Sequence, residues 1–148
     1  MIASCFIRWV PATAALAVAC LALGTSHSFA QTPPKGPAGK VYVSELEGLS
    51  EIDTRARIRE MVKQAVYDAD DSIIQTMAGA TNTLVFSNGV GAFLDPDTTL
   101  RVVRFTQQPF QPNRTDLDIE PSVSRMFLSL RRGTVALCTG RLLPGSVL

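Results

Sequence analysis

Residues 84–105 read LVFSNGVGAFLDPDTTLRVVRF. Leu84 and Phe86 flank Val85, Ala92 and Leu94 flank Phe93, and Asn88-Gly89 lies between the two runs. Alternating runs around Asn-Gly predict a β-hairpin with a type I′ turn, because Asn and Gly tolerate the positive φ that turn requires. Pro96 then fixes a φ suited to a second turn, and Asp95 or Asp97 can bond the nearby backbone. Leu100, Val102 and Val103 open a third run that Phe105 continues, and the slip at Val102-Val103 marks a β-bulge. Three consecutive antiparallel strands, a meander, are the expectation for this stretch.

The same device recurs downstream. In SRMFLSLRRGTVALCTGRL (124–142), Met126, Leu128 and Leu130 alternate, Arg131-Arg132-Gly133 supplies a turn, and Val135 and Leu137 return. Upstream, Val41 and Val43 mark a first strand, and Ile73 and Ile74 turn β-like beyond an acidic turn. One stretch is ambiguous. Ile58, Met61, Val62, Ala65 and Val66 follow helical spacing behind Asp53 or Thr54 as a cap. Pattern alone predicts a short amphipathic helix near 55–66. Turn chemistry roughly every eight to twelve residues makes the whole an all-β domain, an antiparallel meander or β-sandwich.

A chain of 148 residues has single-domain length. Arg8 precedes an uncharged, Ala- and Leu-rich run over 9–24, followed by TSHSFA with small Ser28 and Ala30 around Phe29. This predicts a secretory signal peptide over 1–30, cleaved after Ala30. A membrane anchor needs about 20 apolar residues, and the run here is shorter. A lipoprotein site at Cys20 fits less well, because LALG prolongs the apolar run beyond it. The protein is therefore expected in the periplasm or secreted, with no transmembrane helix after cleavage. QTPPKGPAGK (31–40) reads as a linker, and 41–148 as the folded domain.

Removing the signal changes the available chemistry. Arg8 is the only charged residue lost, so 13 Lys and Arg remain against 13 Asp and Glu. His27, the only histidine, leaves together with Cys5 and Cys20. Cys138 alone remains and cannot form an internal disulfide; within TVALC it is expected to pack as a small apolar residue. Without histidine, a Ser-His-Asp triad, a Cys-His dyad and ordinary zinc ligation are excluded. Asp68, Asp70 and Asp71, and likewise Asp95 and Asp97, read as solvated turn carboxylates. Calcium would need six or so oxygens about one point. Asp116, Asp118 and Glu120 share a face if extended and suggest edge protection. No catalytic, cofactor-binding, metal or disulfide residue is assigned, no cofactor is expected, and ligand-binding residues are left open.

Charge is divided along the chain. Residues 41–100 hold 4 basic and 10 acidic side chains, and residues 101–148 hold 7 basic and 3 acidic. Such asymmetry can steer a partner or polyanion, although Arg101, Arg104, Arg131 and Arg132 read first as solvent-exposed strand and turn residues. A chain neutral overall is a poor nucleic-acid binder.

Taken together, TLVFSNGVGAFLDPDTTLRVVRF (83–105), RMFLSLRRGTVAL (125–137) and LLPGSVL (142–148) resemble the FecR domain, a β-rich module of bacterial exported and envelope proteins. The matching places are Ile74-Gln75-Thr76, Asn88-Gly89, the L-x-P-x-T-x-L pattern from Leu94 to Leu100, and the L-x-L-x-x-G pattern from Leu128 to Gly133. The likeness spans roughly 41–148 and includes the QPF-x-PNRTD type of loop at 108–116. It implies extended or irregular structure at 58–66, and a further strand after Pro144-Gly145-Ser146, so that the domain is expected to be incomplete at its C-terminal end. It does not extend to the anti-sigma helices and membrane span of signalling members. It implies a non-enzymatic structural or protein-interaction domain whose partner is an envelope or membrane protein. The alternative is a periplasmic signal-sensing module of a sigma-factor-regulating pathway.

Overall fold

The computed structural model describes residues 37–55, 57–111 and 118–148. The signal-peptide reading at 1–30 and the reading of Asp116 lie outside the described residues. The described strands are β1 (Lys40–Glu47), β2 (Ser50–Thr54), β3 (Arg57–Glu60), β4 (Val66–Asp68), β5 (Ser72–Thr76), β6 (Thr81–Phe86), β7 (Gly91–Leu94), β8 (Thr99–Gln107), β9 (Ser124–Arg132) and β10 (Val135–Cys138). They form two antiparallel five-stranded sheets, ordered β10-β7-β6-β1-β4 and β3-β2-β5-β8-β9. The all-β expectation holds.

The chain crosses between the sheets at β4 to β5, from an edge strand to a central one, and over five further short connections that join corresponding positions: β1 to β2, β3 to β4, β5 to β6, β7 to β8 and β9 to β10. The fold is therefore a sandwich. Alternation supplies its core. Val41, Val43, Leu84, Phe86 and Leu94 from one sheet meet Ile52, Ile74, Leu100, Val102, Phe105 and Met126 from the other, all buried. The Phe86 and Phe105 rings pack edge to face with centroids 5.7 Å apart.

Three expectations need correction. The first is the meander: β8 does not pair with β7 but joins β5 and β9 in the opposite sheet, and β10 likewise pairs with β7 and not with β9. The corners at 95–98 and 133–134 are sheet crossings held by threonine. Thr76 Oγ1 donates to Asp95 O and accepts from Thr98 N; Thr98 Oγ1 donates to Thr134 O and accepts from Thr134 N. The second is the type I′ turn. Gly89 N donates to Phe86 O, Phe86 N donates to Val90 O, and within the loop only Gly89 has positive φ, at 86°. That is a three-residue loop with glycine in the left-handed position. The hairpin itself is present, but the longer loop shifts its register by one residue from that of a two-residue Asn88-Gly89 turn, so that Leu84 faces Ala92 and not Phe93.

The third is the helix. Met61 is buried, but Ile58, Val62 and Val66 are 64%, 59% and 60% exposed, so the helical stripe has no core to face. Arg57–Glu60 instead pairs with β2, Ile58 opposite Asp53, and Gln64 adopts φ 65°, which no helix continues through. A helix this short is marginal unless one face is covered. Hydrogen bonds to two sheets satisfy the same backbone groups here, which decides the outcome.

The bulge at Val102-Val103 is present: register shifts between Val102 and Arg104, and Asp70 Oδ1 accepts from Phe105 N at 2.8 Å. Residues 37–40, read as the end of the linker, lie against β8, with Gly39 N donating to Phe105 O. No helix of the described residues is long and apolar enough to cross a membrane.

Candidate functional site

A sandwich has two open sides where the edge strands of its sheets face each other. Here one mouth lies between β9 and β10, the other between β3 and β4. In the first, the strand pattern places Leu128 and Leu130 of β9 opposite Val102 and Leu100, hence inward, and Val135 and Leu137 of β10 opposite Leu94 and Ala92, also inward. Their inboard neighbours Leu100 and Ala92 are 1% and 2% exposed, yet Leu130 and Leu137 are each 46% exposed. The core side of this rung is uncovered. Gly133 makes its corner, at φ 82°, where a Cβ would lie within 2.6 Å of Thr98 Cα.

Half of this mouth is filled by the chain itself. Residues 141–147 return to it, with Arg141 bridging Ile119 and Val147 bridging Arg125, both in parallel. Glu120 organises the return. Its carboxylate is buried and accepts hydrogen bonds from Ser124 Oγ, Ser146 Oγ and Leu143 N. Asn88 Nδ2 in turn donates to Ser124 Oγ at 3.1 Å, tying the β6–β7 loop to the same cluster. Two serines and a carboxylate in a buried network are structural cement.

Around the open half the charge is positive. Arg104, Arg125 and Arg131 stand exposed and make no ion pair among the described residues, and Phe127 between them is 44% exposed. Arg132 reaches Asp97 at 3.6 Å.

The β3–β4 mouth is built differently. Residues 61–65 strap it, with Met61 N donating to Ser50 O of one sheet and Gln64 N to Val43 O of the other, while Ala65 O accepts from Val43 N. Tyr67 Oη accepts from Val62 N, fixing the strap to β4. Beyond the strap lies a cleft of about 380 Å³, with Ile52, Thr54, Arg59, Tyr67, Asp68 and Asp70 among its walls. Its charges are mostly committed. Lys40 pairs with Asp68, Arg55 and Arg101 both hold Asp71, and Asp70 anchors the β8 bulge. Hydrogen bonds from Arg55 and then Arg101 hold the Asp71 carboxyl below its ordinary value of 3.8.

The acidic groups singled out in the sequence therefore separate into different tasks. Asp68, Asp70 and Asp71 are tied up individually, and Asp97 meets Arg132. Glu120, read as an edge guard, is instead buried. Cys138, expected to pack, is exposed, because β10 turns it to the outer face of its sheet. Among the described residues no group of three His, Cys, Asp or Glu side chains is placed to share a metal ion. Leu130 and Leu137 were read simply as core alternation. Nothing in their local pattern signals that they lie on edge strands of the described sheets. Comparison of the chain with protein families, curated proteins and solved structures returned no match.

Proposed function

We propose that this chain is an exported FecR-like β-module that acts by binding another protein in the cell envelope and performs no chemistry of its own. One observation carries this reading: inward-facing leucines on the last rung of the sandwich stand half in water, and the outer face of the same edge carries arginines with no ion pair among the described residues. Exposed apolar surface with a polar rim characterises interaction sites. The order of the FecR-like motifs from Ile74 to Gly133 supports the family assignment, and the segment over 1–30 supports export.

Photo-crosslinking in bacteria exporting the chain tests it. A photoreactive side chain at Leu130 or Leu137 is expected to give an adduct of one defined mass, whereas one at Glu47 is expected to give none. The processed protein is expected to begin at Gln31. Equal labelling at all three positions overturns the interaction reading, and an unprocessed membrane-held product overturns export.

A further inference from the structure

Building on the proposal of an interaction module, we infer that the open edge of β9 over residues 127–131 takes an extended peptide of the partner as an added strand, its apolar residues alternating with Asp or Glu.

The first half of β9 already accepts a strand. Met126 N donates to Val147 O at 2.9 Å, and Val147 N donates to Ser124 O at 3.0 Å. Strand geometry repeats every two residues. The N–H and C=O of Leu128 and Leu130 therefore point to the same side as those of Met126, along the line of that segment, where no further strand among the described residues pairs with β9. These are the donors and acceptors that β-augmentation uses.

Side chains set the chemistry. An added strand turns alternate residues inward, onto the uncovered seam of Leu130 and Leu137, which favours apolar groups. Its other residues turn outward beside Arg131 and, one step along the edge, Arg125, with Arg104 of β8 one strand farther in, which favours carboxylates. A second copy of this chain is the poorer occupant, because pairing β9 with β9 sets these arginines against their own kind. A polyanion lacking peptide groups satisfies the arginines but leaves the Leu128 and Leu130 amides unpaired.

The test uses the full chain and a fluorescent octapeptide alternating valine and glutamate, with a valine–lysine octapeptide as control. Saturable binding of the first is expected, about tenfold tighter than the second, with slowed hydrogen exchange at the Leu128 and Leu130 amides. Arg125→Glu combined with Arg131→Glu is expected to reverse the preference. Leu130→Pro, which removes one outward N–H, is expected to abolish binding; the charge reversal carries the test if that variant does not fold. Equal binding of both peptides overturns the inference. So does equal binding of a single-stranded oligonucleotide without amide protection, or protection of the same amides by self-association at rising concentration. Crosslinks at Leu130 and Leu137 without peptide binding remove strand addition alone; absence of crosslinks removes the interaction module as well.

Discussion

The two mouths of the sandwich solve one problem in opposite ways. Between β3 and β4 the chain lays a strap whose backbone bonds to both sheets, drives Met61 into the core and leaves Val62 of the strap and the outward-facing Ile58 and Val66 in water. Between β9 and β10 it closes half the gap with residues 141–147 and leaves inward-facing Leu130 and Leu137 half exposed. The difference separates incidental exposure from uncovered core. An outward apolar side chain costs little in water, whereas an inward one marks burial that another chain can complete.

The largest expected effect comes from truncating both mouths alike. Met61→Ala is expected to cost about 2–5 kcal/mol, since it empties a filled site. Leu130→Ala is expected to cost less than about 1 kcal/mol, because half of that side chain is already hydrated. Urea melts of the two variants decide the matter, and equal losses would mean that the β9–β10 mouth is sealed in solution.

A second contrast sharpens where the open mouth is rigid. Gly133→Ala meets both positive φ and the Thr98 backbone and is expected to cost about 2 kcal/mol or more. Gly89→Ala meets positive φ with open space around it and is expected to cost about 1 kcal/mol. Thermal denaturation ranks them; the reverse order would show that the corner at 133 yields while the hairpin loop does not.

The smallest effect concerns the β3–β4 side. Asp71 has a lowered pKa when folded, so its contribution is complete above its ordinary value of 3.8 and is lost as pH falls through the folded value. Asp71→Asn is expected to flatten the acid end of the stability profile below about pH 4 and to leave β9–β10 amide exchange unchanged. A change in exchange at Leu130 would couple the two mouths.

Much of the fold was legible because burial on one face writes itself as period-two alternation. Val41 and Val43, Leu84 and Phe86, Ala92 and Leu94 all face inward as read. What pairs with what was not legible. Asp95-Pro96-Asp97 announces a turn, but whether the next strand stays in its sheet depends on Thr76, Thr98 and Thr134 meeting across the corner. Asn88 shows the same limit, since its amide reaches Ser124, 36 residues away in sequence. At 58–66 the helical spacing was genuine but had no surface to pack on. The candidate site was least legible of all, because Leu130 differs from a core leucine only in what lies beyond it.

Placing successive strands face to face across the two sheets has a further consequence. Each pair of strands at corresponding positions is a rung, and strand pairing joins a rung only to those beside it, so the strands form a short one-dimensional array. Lengthening such an array requires no rethreading: one more rung extends both sheets at once, and the rung carrying Leu130 and Leu137 is the one to which it would be added. The half-exposed leucines proposed as a docking seam are thus also the end rung of a ladder. A single strand added at β9 would supply half of such a rung, the half that extends one sheet.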